Sequence, residues 1–568
     1  FYDNVSHDIL FQKLYDIGLR GNILRVIMSM YTDITYQSRV VKNNKWCLLR
    51  DPIRSNTGLK QGCPLSPTLA NLFLYDIHKN LTVGDISLGD YNFNSISWAD
   101  DLVIFSTSQE ATQLILNNLN EYCHGNSIQI NLDKTKALIF CKGSQPNKTL
   151  FFVGETPIKF CTSYKYLGIE FQQNGSFKVA CKTRMEKAQN AIFLLNKAIN
   201  YGGVVSTALN SILFFSKIAP ILLYGAPIWG PSPTLTISYE PLTPVTVQNI
   251  EAFKAKISNV TSSLVQVKLL GQEKKVLKVY TTSLEDKAKI IKSKLDDNNF
   301  RRNSGIYELQ STFQSFLCRH AKRILGLSKY ASNTLSCAEL GWFPIQHKII
   351  LATLKYWVRL QKGTTNDLLD KAFTFNTLYG TEWTNGIKNI KLDLDLDNNL
   401  DDPTSTRKQM QETYKKLLKI KITTDQHRSC YSGLIHKNSY LQQQYLTKIE
   451  NPLHRATLTK LRTNSFNYTS YDSDEIYCPK CTLREKDDLT HWLLRCTNNQ
   501  LIQPRNNLLR LLRLALKANN YSNPLKDLLN CNFPNTDITI INDLYKHLHR
   551  FFVIQERISK ETRTNPNL

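Results

Sequence analysis

Hydrophobic and polar positions change most sharply between Asn94 and Ser106. The run Ser95-Ile96-Ser97-Trp98-Ala99 leads into Asp100-Asp101, and the apolar run Leu102-Val103-Ile104-Phe105 follows. This predicts strand, tight turn, strand, with both aspartates at the turn. Elsewhere the helical period dominates. Gly58–Leu74 reads as a glycine-flanked loop feeding a helix, because Pro64 and Pro67 fit an opening turn where a missing N–H costs little. Val5–Leu10 predicts a short helix with Asp3 as its N-cap. Phe313, Phe316, Leu317, Ala321 and Ile324 form an apolar stripe that predicts a helix over 310–327, with Arg319, Lys322 and Arg323 on its other faces. Residues 332–361 predict a further helix pair. Over 508–517, Leu508, Leu511, Leu512 and Ala515 share one face while Arg510, Arg513 and Lys517 share another.

These elements predict an α+β fold in several parts. Residues 1–175 mix strands and helices. Residues 176–230 read as helical, with Lys182, Arg184, Lys187 and Lys197 toward solvent or nucleic acid. Residues 231–311 are polar and rich in Lys, Ser, Thr and Val, which suits an insertion or linker. Residues 312–470 return to helix, 471–500 hold a cysteine-histidine cluster, and 501–568 form a basic helical tail. The acidic, Asn-rich stretch 391–402 suits a loop or boundary. No apolar run reaches the roughly 18–20 residues of a membrane-spanning helix. The best candidate, Ala208 to Trp229, is interrupted by Asn210, Ser211, Lys217, Pro220 and Pro227, and reads as a buried helix.

Charge narrows the function. The chain carries 71 Lys and Arg against 47 Asp and Glu, a net charge of +24. That excess favours nucleic acid, whose binding rests on neutralised phosphates; a membrane-surface protein is the alternative. Against this basic background the adjacent Asp100 and Asp101 stand out. Each disfavours ionisation of the other. A divalent cation removes the conflict, and Mg²⁺ prefers such hard oxygen ligands. Two ions about 3.5–4 Å apart are an apparatus for in-line displacement at phosphorus. A solvated turn is the competing reading, since Asp is common in turns.

The 13 cysteines are mostly scattered and odd in number, which argues for a reducing compartment. One group is ordered: Cys478, Cys481, His491 and Cys496, spaced C-x2-C-x9-H-x4-C. Four filled positions make a closed, structural zinc site. Unrelated reduced cysteines are the alternative. Arg484, Lys486 and Arg495 beside it suit contact with nucleic acid.

Several motifs fall in one order. They are Phe1-Tyr2-Asp3-Asn4-Val5-Ser6-His7, then Asn56-Thr57-Gly58-Leu59-Lys60-Gln61-Gly62-Cys63-Pro64-Leu65-Ser66-Pro67, then Trp98-Ala99-Asp100-Asp101. Asn131-Leu132-Asp133-Lys134 and Tyr164-Lys165-Tyr166-Leu167-Gly168 follow. Over residues 1–175 this series resembles the palm motifs of reverse transcriptases of non-LTR, LINE-like retrotransposons. The resemblance implies a right-hand polymerase palm, in part, followed by a helical thumb and an α-rich C-terminal region bearing a zinc knuckle. It implies an RNA-directed DNA polymerase that extends a DNA primer or nicked target on an RNA template with deoxynucleoside triphosphates.

Under that resemblance Asp100 and Asp101 hold two catalytic Mg²⁺ ions. Tyr2 lies beneath the incoming sugar, where the family usually has Phe, and excludes ribose. Gln61 and Gly62 lie against template and nucleotide. Lys134 stabilises the leaving pyrophosphate. Tyr166, Leu167 and Gly168 form the primer grip. Trp98 replaces the usual Tyr or Phe. Cys478, Cys481, His491 and Cys496 resemble the knuckle near the C-terminus of such polyproteins. The enzyme is expected inside the cell, nuclear when acting and cytoplasmic as a ribonucleoprotein, with no membrane partner.

The family's first catalytic aspartate would fall upstream of Phe1, so the chain reads as a fragment cut within that motif, lacking the fingers and expected to be inactive by itself. A catalytically dead nucleic-acid-binding remnant is the alternative from another class. A group II intron maturase or telomerase-like polymerase is disfavoured by the long C-terminal region.

Overall fold

In a computed structural model, the structure describes residues 1–37, 39–42, 45–48, 51–141, 150–202, 206–231, 264–269, 272–278, 305–393, 405–412, 415, 442–463, 465, 478, 481–483, 485, 489–517, 524–533 and 536–564. The chain forms two units. One comprises residues 1–176 with 364–378, the other 177–363 with 379–568.

The first unit mixes helices with two-stranded sheets. Helix His7–Asp16 buries Leu10 and Leu14, one turn apart, against Ile27 and Tyr31 of helix Gly21–Tyr31 and against Leu69 and Phe73 of helix Ser66–Phe73. Helix Gln109–Gly125 is capped by Ser108, whose hydroxyl accepts the Ala111 N–H at 3.0 Å. Ile115, Leu119, Tyr122 and Cys123 recur at helical spacing and pack on Ile77 and Leu81, while Leu116 turns to Phe151, Val153 and Ile158. A buried polar cluster sits between the two cores. Lys13 Nζ reaches Asp76 at 2.8 Å and the Tyr122 hydroxyl at 3.0 Å, and that hydroxyl donates to Asp76 at 2.6 Å. Burial pushes the Asp76 carboxyl up, but the hydrogen bonds from Lys13 and Tyr122 outweigh it and hold the group below its usual range. Lys159–Cys161 and Lys136–Leu138 pair in parallel; the other described pairs are antiparallel.

Asp3 does not cap the first helix. It lies in a 3₁₀ turn, Tyr2–Asn4; the helix starts at His7 behind Ser6, and Asp3 Oδ1 instead accepts from Gln61 Nε2 at 3.2 Å. The turn carries the chain past the point where its carboxylate could meet the helix N–H groups.

The second unit is helical where described, apart from the hairpin Leu264–Leu269 with Gln272–Lys278 inside the expected insertion. The rest of 232–304 lies outside the described residues, as do 394–404 and most of 413–441. Ala208–Trp229 is not one helix. Helical backbone runs from Thr207 through a π-turn at Phe214–Ile218 to Leu223, breaks at the extended Tyr224 and left-handed Gly225, and resumes over Ala226–Trp229 with Pro227 in its first turn. Among the described residues no helix is long and apolar enough to cross a membrane. The stripe Phe313, Phe316, Leu317 and Ala321 is buried on helix Gly305–Ile324. Two cations depart from expectation. Lys322 is buried, its ammonium donating to the Lys329 carbonyl at 2.8 Å, and Arg184 is buried over the Tyr224 ring at 4.2 Å. In each case a carbonyl or a ring face replaces water.

One ion pair ties four segments together. Arg462 Nε meets both Glu339 oxygens at 3.0 Å, and its other nitrogens donate to the Leu529 carbonyl, the Asn530 side chain and Gln443. Tyr445 donates to Glu339 at 2.6 Å. Glu339 and Arg462 side chains are both fully buried. Arg462→Leu leaves the Glu339 charge without its partner in a dry site. It is expected to cost about 3–5 kcal/mol, seen as an earlier urea midpoint, while Arg462→Leu with Glu339→Leu recovers part of the loss.

Candidate active site and metal centre

The aspartate pair sits on a two-residue hairpin. Strands Ser95–Trp98 and Asp101–Ile104 pair antiparallel, Trp98 facing Asp101, so Ala99 and Asp100 form the turn. Ala99 has φ +54°. A left-handed residue at the first turn position is ordinarily glycine. An alanine there is strained, and such strain gathers where a site must be held in one geometry. Asp100 and Asp101 are both exposed at this tip.

The root of the hairpin is anchored behind them. Buried Asn94 accepts the Val83 and Gly84 N–H groups at 2.9 and 3.2 Å and donates to the Phe105 carbonyl and to Asp85. Asp85 in turn accepts from Ser106 and Thr107. On one face of the first strand, Ser95 and Ser97 flank His78, whose two ring nitrogens lie 2.9 and 3.0 Å from their hydroxyls. Burial lowers the His78 pKa, which keeps the ring neutral.

A second hairpin lies near the first. Strands Ser163–Tyr166 and Ile169–Gln172 turn at Leu167 and Gly168, with φ +44° and +80°. Two left-handed central residues match the twist of a hairpin, but Leu at such a position again stores strain. Burial, and then the charge of Asp101, raise the Tyr166 phenol pKa. Tyr166 and Asp101 therefore share one electrostatic environment. The Tyr164 hydroxyl donates to the Lys134 carbonyl at 3.3 Å, which places the Lys134 backbone beside this hairpin.

Tyr2, Gln61 and Gly62 line one cleft of about 460 Å³, together with Lys60, Cys63, Pro64, Ser66 and Pro67. Its floor is knitted by backbone. Gly58 N–H donates to the Val5 carbonyl and Leu59 N–H to the Tyr2 carbonyl, both at 2.8 Å, and His7 Nε2 donates to the Gly58 carbonyl at 2.8 Å. Gly58 is required here: its φ is +93°, and an added Cβ would lie 3.1 Å from the Asp3 carbonyl oxygen.

Sequence reasoning missed Cys63 in this cleft. The Leu65 N–H pulls its thiol down against a smaller opposing effect of desolvation, and Ser66 and Lys60 add to the lowering. Burial pushes Cys123 up to about 11 and Cys181 up to about 12. Since the thiolate is the nucleophile, Cys63 is expected to be alkylated well before those two. Its labelling should persist as pH falls below the range of an ordinary thiol. Peptide mapping after a short maleimide pulse measures the order.

In the second unit, Cys478, Cys481, His491 and Cys496 each offer a ligand atom, all within 4.8 Å of one another. Tetrahedral zinc with S and N bonds of about 2.3 and 2.0 Å would space its ligands roughly 3.3–3.8 Å apart. Cys481 Sγ and His491 Nε2 stand at 3.3 Å. Glu485, which carried no sequence signal, accepts from His491 Nδ1 at 2.8 Å and from Arg495 at 3.1 Å. That bond orients the imidazole so that Nε2 is the nitrogen facing Cys481, the one that could take a metal. A hydrogen bond from Cys478 draws the Cys496 thiol well down, toward the thiolate a metal needs. Trp492 packs edge-on against Phe552 and anchors the cluster to helix Ile538–Thr564. Among the described residues this is the only group of three or more such ligands, so Asp100 and Asp101 stand as a pair.

Residues 1–171 match the family of reverse transcriptases, RNA-dependent DNA polymerases. The match is confined to this segment, and the reverse transcriptase family implies a palm-type polymerase fold and the use of a divalent metal. The chain is similar to the Pol polyprotein of the type-2 retrotransposable element R2DM of Drosophila melanogaster, 27% identical over 191 residues, or 32% of this chain and 17% of that protein. It is also similar to Pol polyproteins of type-1 R2 elements from Nasonia vitripennis and Popillia japonica. These are 24% and 25% identical over 31% of this chain, covering 18% and 30% of those proteins. The match thus spans less than a third of each relative.

Proposed function

We propose that the chain is the polymerase part of an R2-like retrotransposable element's protein, extending a DNA primer on an RNA template. The observation that carries this is the strained Trp98–Asp101 hairpin, which presents two adjacent carboxylates beside Tyr166, inside a segment matching reverse transcriptases. Asp100 and Asp101 would hold divalent ions, Mg²⁺ by the chemistry of their oxygens. Bound there, the ions would lower the charge barrier at the attacking and leaving oxygens.

The chain's own residues do the rest. Gln61 and Gly62 floor the nucleotide cleft, and Gly62 brings backbone close without a side chain. Tyr2 lines the same cleft, where its ring would crowd a 2′-hydroxyl. Tyr166, Leu167 and Gly168 would hold the primer end at the carboxylate tip, and Lys134 would meet the departing pyrophosphate. Cys478, Cys481, His491 and Cys496 would hold one structural Zn²⁺, and the palm would continue into a helical thumb and a knuckle-bearing C-terminal region.

Binding of a primer–template hybrid, followed by deoxynucleotide incorporation in Mg²⁺, tests the reading. Affinity should fall steeply with salt, as counterion release requires. A longer protein that contains this chain together with the upstream motif, and that binds the hybrid yet incorporates nothing with any divalent ion, would support the remnant reading instead.

A further inference from the structure

The β-ribbon between Ile34 and Ser55 has no part in the site above. Its stem pairs Thr35–Tyr36 with Ile53–Arg54, and its outer part pairs Arg39–Lys42 with Lys45–Leu48. The register sets Arg39 opposite Leu48 and Val41 opposite Trp46. Directly opposed residues, and residues two apart, share a face. One face therefore carries Arg39, Val41, Trp46 and Leu48. Val41 is 57% exposed, and Trp46 and Leu48 are each 65% exposed. The Arg39 guanidinium carbon lies 4.5 Å from the Trp46 ring centroid. That contact holds the indole against the ribbon by a cation–π attraction.

Charge points to the occupant. Between Thr35 and Arg54 the sequence carries Arg39, Lys42, Lys45, Arg50 and Arg54 against a single acid, Asp51. An exposed ring held by an arginine, in a segment whose sequence is rich in cations, is the chemistry of single-stranded nucleic acid: a base stacks on the ring while its phosphates meet the cations. Position agrees. The Ser55 N–H donates to the Ile34 carbonyl at 3.0 Å, Thr57 bridges to Ser6, and Gly58 N–H bonds Val5. The ribbon and the floor of the Tyr2–Gln61 cleft thus grow from one junction.

We propose that the Arg39–Trp46 face is a stacking platform for the unpaired template strand. The identity of that strand as template rests on the polymerase reading. The stacking itself does not.

The test is fluorescence anisotropy of the 568-residue chain with a labelled single-stranded RNA oligonucleotide, the same sequence as DNA, and the RNA in duplex form. Trp46→Ala should weaken single-strand binding roughly tenfold, as loss of one stacked base implies, and leave duplex binding within about twofold of wild type. Trp46→Phe should keep most of the affinity. Trp46→Leu, apolar but without a ring, should behave like Trp46→Ala. Equal losses on RNA and DNA support a platform that reads base faces alone. Unchanged single-strand binding by Trp46→Ala overturns the proposal. So does equal loss on single strand and duplex, or full affinity in Trp46→Leu. If the wild-type chain binds no single strand, both the platform and the polymerase reading fall; if it binds and Trp46→Ala binds with unchanged affinity, only the platform falls.

Discussion

Cys481→Ser is expected to strip the C-terminal cluster of its metal and to loosen the packing around it. Cys478, His491 and Cys496 are buried, and Trp492 rests on Phe552. Without a cation, three thiols and an imidazole have no electrostatic reason to converge. In small zinc modules the binding free energy is folding free energy, about 10–16 kcal/mol apparent near neutral pH. Part of that is lost here, because the helices Asn499–Lys517 and Ile538–Thr564 pack on each other independently of the cluster. Metal analysis of freshly reduced protein should give about one zinc per chain, as a closed four-ligand site implies. Cys481→Ser should give essentially none and unfold at a lower temperature. Glu485→Gln should retain zinc but release it to a chelator roughly 10–100 times more readily, because the imidazole loses its orienting carboxylate. Zinc-free wild-type protein would rule the site out.

Asp100→Ala is expected to have the larger effect on activity. In any form of the protein that extends a primer, it removes one of two adjacent carboxylates at the hairpin tip. Metal stabilisation of developing charge is worth several kcal/mol, and each ~1.4 kcal/mol is tenfold in rate. The loss in incorporation rate should therefore reach about a thousandfold or more. Hybrid binding should stay the same or tighten slightly, because a negative charge facing phosphates has been removed. Asp100→Asn should fail nearly as badly, since shape without charge does not hold a divalent ion. Single-turnover incorporation with saturating hybrid separates the two effects.

What could be read from the sequence was what depends on near neighbours. The hairpin shows in the chain because strand-like runs flank the two aspartates, although the turn itself is Ala99 and Asp100, with Asp101 already on the second strand opposite Trp98. The convergence of Cys478, Cys481, His491 and Cys496 shows because a C-x2-C knuckle is a local object. The apolar stripe of Phe313, Phe316, Leu317 and Ala321 shows because helical burial repeats every 3.6 residues. The failures are equally physical. Asp3 looks like a cap by composition, yet the 3₁₀ turn hands its carboxylate to Gln61, far along the chain. Arg184 and Lys322 look solvated on a helical wheel, yet a ring face and a carbonyl from other segments accept them. Glu339 and Arg462 are 123 positions apart, and no local pattern links them. Cys63 acquires its character from backbone N–H groups that only the folded turn aims at it. Glu485 sits between Cys481 and His491 with nothing to distinguish it from a surface acid until His491 turns toward it.

The most direct measurement is incorporation of a labelled deoxynucleotide onto a DNA primer annealed to RNA, by a protein containing this chain and by its Asp100→Ala variant, at matched hybrid occupancy. Template-directed, Mg²⁺-dependent incorporation that vanishes in the variant is the predicted result. Equal incorporation by the variant would contradict the assignment of the Asp100-Asp101 hairpin as the catalytic centre.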